Sequence, residues 1–198
     1  MFHLNNLLFC FIIIQNQTIM KRILLYSFSL FLIQNLNAQT QIGSNITAIN
    51  NFVLGFTLSL NSDGSKIAVG APYTTSSASG GFGRAFENVS NSWSQLGATI
   101  NAEANSDNFG RVSISGNGNR LAIGGSTNDG GGANSGHVRV FNWDGTSWVQ
   151  MGSDIDGLSA GDNFGVNVSL SNDGTILAVG SHLSDSNGVD SGQVRVFS

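Results

Sequence analysis

Apolar and polar residues alternate singly over Phe56-Thr57-Leu58-Ser59-Leu60 and again over Val166-Asn167-Val168-Ser169-Leu170-Ser171. Period two is the signature of a strand, because successive side chains leave opposite faces of a pleated backbone. A turn follows each run. Asp63-Gly64, Asn117-Gly118 and Asp173-Gly174 place a glycine where a tight hairpin needs positive φ. Second strands are predicted over KIAVG (66–70), RLAIG (120–124) and ILAVG (176–180). Third strands are predicted within GFGRAF, GHVRVF and GQVRVF, and fourth strands around SWSQLG and SWVQMG. The link Asn142-Trp143-Asp144-Gly145 reads as the turn between the third and fourth strands.

The pattern is periodic. Gly55, Gly110 and Gly165 stand 55 residues apart, and the text around them aligns as LGFTLSLNSDGSKIAVG, FGRVSISGNGNRLAIG and FGVNVSLSNDGTILAVG. The tail Gln41-Ile42-Gly43 matches the end of SWVQMG. Each unit is therefore a four-stranded antiparallel meander. One such meander exposes its apolar faces, and radial stacking buries them. The predicted fold is all-β, a partial β-propeller with about 55 residues per blade. Blades are expected over residues 52–97 and 106–152, with an incomplete third over 161–198. A β-sandwich is the alternative, but it would not demand such regular copies.

Meander topology sorts the loops. Short turns joining strands one to two and three to four share one face. The longer loops, 70–81, 124–136, 180–192, 97–110 and 152–165, share the other and are rich in Asn, Asp, Ser and Gly. Long loops on a rigid scaffold are where binding concentrates. Asp107, Asn108, Asp129, Asp162, Asn163 and Asp185 are the candidate ligand-face residues. Asx turns account for them equally well.

The front of the chain has a different character. From Met20, Lys21 and Arg22 precede an apolar run from Ile23 to Ile33, and Ala38 ends the segment before Gln39. This is the layout of a signal peptide over 20–38, cleaved after Ala38. Residues 1–19 read as an upstream extension of a translation start at Met20. The expected location is secreted or at the outer surface of a bacterial cell, with no stable membrane span once the signal is removed. An 11-residue run is too short for a bilayer, which takes about 20 residues. The lone Cys10 falls in the extension, so no internal disulfide forms.

From Gln39 onward six Lys and Arg face twelve Asp and Glu, a net charge of −6, with no basic stripe. Nucleic acid is not expected as a partner. The 26 glycines and single proline suit short strands joined by many turns.

Phe109-Gly110 and Phe164-Gly165 before the first strand, with Gly70-Ala71-Pro72 after the second, resemble the FG-GAP repeat. That repeat builds the propeller head of integrin α subunits and many bacterial surface proteins. The resemblance runs from about Gln41 to Phe197. It implies an integrin-α-like propeller used for cell adhesion or other binding. Copy one has Leu54-Gly55 in place of Phe-Gly, and only copy one keeps Gly-Ala-Pro. Many family members carry a calcium loop between the first two strands. Calcium takes six to eight oxygens, whereas each turn here has at most one Asp, and Lys66, Arg120 or Ile176 fills the closing acidic position. No cofactor and no metal is expected.

Arg84, Arg139 and Arg195 recur at one place in the third strand, and Trp93 and Trp148 in the fourth. Recurrence at fixed places, of the arginine in all three copies and of the tryptophan in the first two, favours packing roles over anion or sugar binding. No catalytic constellation is evident. Past the signal the histidines are His137 and His182, for which the sequence suggests no partner set. The expected function is non-enzymatic binding or adhesion toward an unidentified protein or carbohydrate, as a fragment of a larger propeller. Open blade edges also invite self-association. A non-catalytic module of a longer glycan-processing enzyme, or a structural spacer, is the alternative.

Overall fold

The computed structural model describes residues 39–48, 52–73 and 80–198. The expected upstream extension over 1–19, the expected signal peptide over 20–38 with its cleavage after Ala38, and Cys10 all fall outside the described residues. The chain divides into two compact units, residues 1–42 and 43–198. Of the first, residues 39–42 are described and carry no strand. The second holds every strand, and the described residues contain no helix.

Three antiparallel meanders follow one another, each a blade of a partial β-propeller. Blade 1 comprises β1 (Thr57–Leu60), β2 (Lys66–Ala71), β3 (Phe82–Val89) and β4 (Ser92–Asn101), paired in that order. Blade 2 comprises β5 (Phe109–Ile114), β6 (Arg120–Gly125) and β7 (His137–Trp143), with β8 (Trp148–Gln150) and β9 (Ile155–Asp156) both on the outer edge of β7. Blade 3 comprises β10 (Asn167–Leu170), β11 (Leu177–Ser181) and β12 (Gln193–Phe197).

The fourth strands share a bulge. In blade 1 the pairing passes from Ala85↔Leu96 to Gly83↔Ile100. In blade 2 it passes from Phe141↔Gln150 to Val138↔Ile155, which breaks the strand into β8 and β9. Each bulge begins at a glycine with φ of 69°, Gly97 or Gly152. That left-handed conformation is one that glycine adopts without steric cost.

The core lies between blades rather than within them. Ala68, Ala85 and Leu96 of blade 1 pack on Val112, Ile114, Leu121, Ile123 and Phe141 of blade 2. Ala122 and Val138 of blade 2 pack on Phe164, Leu177 and Val179 of blade 3. Small residues on one blade thus receive large ones from the next. The strand pattern follows from this, since both faces of an interior blade are covered.

Polar side chains on the innermost strands also join the blades. Ser59 Oγ accepts from Ile114 N at 3.1 Å, and Ser113 Oγ accepts from Leu170 N at 2.9 Å. These bonds satisfy N–H groups on the free edge of β5 and β10 that no strand covers.

The Phe-Gly dipeptides plug the gap between the second and third strands of the preceding blade. Phe109 N donates to Gly80 O at 2.7 Å, and Phe164 N donates to Ser135 O at 2.9 Å. A Cβ on Gly70 would land on the carbonyl oxygen of Gly110, and one on Gly124 on that of Gly165. The repeated glycines are thus required on both sides of the contact.

The tryptophans are packing residues. Trp148 Nε1 donates to Leu96 O of blade 1 at 3.0 Å, and its ring lies 5.3 Å from Trp143. Trp143 is the last residue of β7 and pairs with Trp148, so the expected turn at 142–145 shifts to 144–147. Asp144 sets that turn by accepting from Thr146 N and Ser147 N at 2.7 and 2.8 Å. Gly43 stands over Trp93 much as Gly97 stands over Trp148. This accounts for the sequence match at Gln41-Ile42-Gly43.

Candidate functional site

Hydrogen bonds separate two faces as the meander topology predicts. On one, the short turns touch in series, with Ser62 N donating to Gly116 O at 3.0 Å and Gly116 N to Asn172 O at 2.7 Å. On the other, the long loops interlock. Thr127 N donates to Asp107 O at 3.1 Å, Gly161 N to Ala133 O at 2.9 Å and Asn163 N to Asn134 O at 3.2 Å. The β6–β7 loop is therefore tied to a neighbouring loop on each side.

The six candidate residues fall into repeated pairs. Asp107 and Asp162 are buried. Their carboxylates accept from Ala104 N at 2.9 Å and from Ser159 N at 3.2 Å. Asp107 also accepts from Asn128 Nδ2 at 3.3 Å. Asn108 and Asn163 follow with φ of 51° and 55°, a region that asparagine tolerates better than most residues. Asp129 accepts from Asn134 N at 2.7 Å, and Asp185 from Asp190 N at 2.8 Å, each across five residues. These groups do not converge on one point. The aspartates shape their loops from within, through N–H groups three residues back or five ahead rather than the two-residue reach of an Asx turn. What they present outward is the backbone and small side chains at the tips, with Val189 87 % exposed in the β11–β12 loop.

The short-turn aspartates behave in the same way. Asp173 accepts from Thr175 N, Thr175 Oγ1 and Ser171 Oγ. Those bonds, the Ser171 hydroxyl first, hold its carboxyl down at about 2. Asp63 is lowered by its bonds to Ser65.

His137 corrects the expectation from sequence, because the fold gives it partners. It opens β7, fully buried, with its ring 5.7 Å from that of Phe109. Its Nδ1 lies 3.1 Å from Asp154 Oδ2 and 4.0 Å from Glu103 Oε2. Gln150 Nε2 donates to Asp154 Oδ1 at 2.6 Å. Asp154 reaches the ring from the bulge that starts at Gly152. Thr99, on the matching bulge of blade 1, accepts from Arg84 Nε at 2.9 Å. Burial pushes the His137 pKa down, Asp154 opposes this, and Arg139 adds to it. Nδ1 and Asp154 Oδ2 are within hydrogen-bond distance, and the balance of these influences favours the neutral ring. Its Nε2 is buried with no hydrogen-bond partner, facing Gly125.

Among the described residues, Glu103, His137 and Asp154 are the one group of three side chains that could hold a metal ion, with ligand atoms within 4.8 Å of one another. Arg139 competes with that role. Its Nη1 is 3.7 Å from Glu103 Oε1, its Nη2 donates to Asn101 O at 2.6 Å, and its guanidinium lies 4.1 Å from the Phe109 ring centre. A fixed cation beside one ligand disfavours a second. Arg195 repeats the arrangement over Phe164 at 4.8 Å, donating to Asp156 O at 2.8 Å. Arg139 and Arg195 thus staple each blade to the one before it, whereas Arg84 bonds Thr99 and lies over Phe82 within blade 1. The sequence could not reveal the His137 cluster, because the matching positions are Phe82 and Gln193, and Glu103 and Asp154 come from separate segments.

Stacked antiparallel meanders with cores between them define the class, a β-propeller module built from repeats. Residues 155–197, from β9 to the end of β12, match the FG-GAP repeat family, so the chain carries an FG-GAP repeat there. No curated protein matches the chain. Among solved structures, TolB from Acinetobacter baumannii is similar at 15 % identity and TM-score 0.42, over 76 % of this chain and 33 % of that one. A prolyl endopeptidase is similar at 15 % identity and TM-score 0.45, over 74 % and 20 %. Kuenenia stuttgartiensis hydrazine synthase is similar at 14 % identity and TM-score 0.43, over 71 % and 44 %. The chain spans less than half the length of each of these structures.

Proposed function

We propose that the chain is a non-enzymatic binding module, acting in secreted form or at the outer cell surface, that takes a protein or carbohydrate ligand on its long-loop face. The supporting observation is the interlocked rim of loops, in which buried Asp107 and Asp162 fix the backbone while the tips stay exposed. Such a surface is pre-ordered, which lowers the entropy cost of binding. The acidic charge and absence of a basic stripe favour protein or carbohydrate over nucleic acid. Secretion rests on the leader pattern, and no helix among the described residues is long and apolar enough to cross a membrane. The reading calls for no resident metal or cofactor.

Arrays of immobilised glycans and extracellular matrix proteins, probed with the full chain, test it. The expected result is saturable binding to one class, weakened at least tenfold by Val189→Asp or by replacing residues 186–189 with a Gly-Ser segment, and unchanged by EDTA. Absence of binding across the arrays overturns the reading. Cleavage of an arrayed glycan would replace it with an enzymatic one.

A further inference from the structure

We propose that a cavity at the head of the innermost strands binds the carboxylate of an acidic sugar residue, a uronate, with Arg111 gripping it, which rests on the carbohydrate reading of the long-loop face but engages the inner strands rather than the loop tips.

The innermost strands β1, β5 and β10 hold Thr57, Arg111 and Asn167 at one register. Each stands opposite the glycine near the end of the second strand, Gly70, Gly124 or Gly180. All three line a cavity of about 330 Å³ that spans the three blades. Arg111 lies near the start of β5, just past the β4–β5 loop, so the cavity is at the end of these strands where the long loops meet.

Arg111 breaks the repeat. At the matching place in blade 1, Thr57 spends its hydroxyl on the joint to blade 2, donating to Gly110 O at 2.5 Å and accepting from Val112 N at 3.3 Å. Arg111 makes no such joint. Its Nε is buried without a hydrogen-bond partner, a costly condition for a charged donor. Every other described cation spends a donor: Lys66 on Asn119, Arg84 on Thr99, Arg120 on Gly174 O, Arg139 on Asn101 O and Arg195 on Asp156 O. Blade 2 has a described blade on each side, so these unspent donors do not belong to an end face of the stack.

Phe56 supports the guanidinium, its ring centre 4.4 Å from Cζ. Stacking uses the planar face and leaves the N–H edge, a fork that matches a carboxylate with two parallel bonds. One cation suits a monoanion. The net charge of −6 from Gln39 onward repels polyanions such as polyphosphates. The Asn167 carboxamide in the same cavity can both donate to and accept from a sugar hydroxyl. An Asp or Glu side chain of a peptide makes no such demand.

Isothermal titration of the full chain with glucuronate, glucose, acetate and an end-blocked peptide bearing one Glu tests this. Glucuronate is expected to bind, with the other three weaker by roughly tenfold or more. Arg111→Gln should weaken glucuronate by roughly tenfold or more, with an unchanged far-UV circular dichroism spectrum, because no internal hydrogen bond is lost. Asn167→Asp adds a negative charge to the cavity while leaving Arg111 in place; it should weaken binding likewise, and it decides the matter if Arg111→Gln fails to fold. Val189→Asp, at a loop tip, should leave glucuronate binding unchanged. Absence of glucuronate binding, or binding that both cavity variants leave intact, overturns the proposal. Acetate or peptide binding as tight as that of glucuronate overturns the sugar assignment. Binding lost in Val189→Asp but kept in Arg111→Gln places the ligand on the loop tips, which overturns the cavity site and leaves the long-loop reading standing.

Discussion

Gly124 and Gly165 meet backbone to backbone between blades 2 and 3, so that a Cβ on Gly124 would land on the carbonyl oxygen of Gly165. The same relation joins Gly70 to Gly110. It explains why glycine is the next-to-last residue of the second strand in blades 1 and 2, and why glycine follows Phe109 and Phe164. Gly124→Ala should force the blades apart. Overpacking of this kind costs about 1–3 kcal/mol, and more is expected here because the obstacle is backbone. Urea denaturation should show a lower midpoint. An unchanged midpoint would show that the blades are not in contact there.

Arg139 should be irreplaceable by lysine. Its planar group lies on Phe109 while donating to Asn101 O across the blade boundary. Lysine can keep the charge but not both contacts at once. Arg139→Lys is expected to cost about 1–2 kcal/mol, from a cation–π contact of roughly 0.5–2 kcal/mol and part of a charged hydrogen bond. A double-mutant cycle with Phe109→Leu should return a coupling energy of the cation–π size. Coupling near zero would assign the arginine to charge balance alone.

The repeat made the blades legible. Alternation marked β1 and β10, the Asp-Gly pairs marked the hairpins, and the period marked the stack. The recurrence of Arg139 and Trp148 correctly pointed to packing. Three features could not be read. The Trp143 pairing moved a turn, because Asp144 rather than the preceding residues holds its backbone N–H groups. The loop aspartates look alike whether they serve a ligand or their own loop, and only the fold shows their bonds to Ala104, Ser159, Asn134 and Asp190. The His137 cluster breaks the repeat, so nothing in the periodic pattern could announce it.

Asp173 should make the protein sensitive to strong acid. Its carboxyl titrates at about 2 in the folded chain, against about 3.9 when unfolded. A depressed folded value contributes stability above the unfolded pKa, and that contribution is lost as pH falls from 4 through about 2. Asp173→Asn keeps an acceptor for Thr175 N but removes the titration. Calorimetric melting temperatures of the variant should fall less steeply between pH 4 and pH 2 than those of the wild type. Equal slopes would remove Asp173 from the account of acid unfolding.

His137 should do the opposite of a surface histidine paired with an acid. Its neighbours pull in both directions, with Asp154, Glu103 and Asp107 favouring the charged ring and Arg139 and burial opposing it. Burial is the largest of these influences, so the folded pKa lies below the usual 6.5. The unfolded chain then takes up a proton near pH 6.5 that the folded chain refuses. Stability is complete above that pH and declines as the pH falls toward the folded value. His137→Gln tests this, since Gln193 already serves at the matching place in blade 3 and an amide can donate to Asp154. The wild type should lose melting temperature from pH 7.5 to pH 5 more steeply than the variant, by up to about 1.4 kcal/mol of stability per pH unit in that window. His182, exposed and present in both proteins, cancels from the comparison. A wild type that gains stability over the same interval would mean that the Asp154 ion pair outweighs burial, and that the ring is charged in the fold.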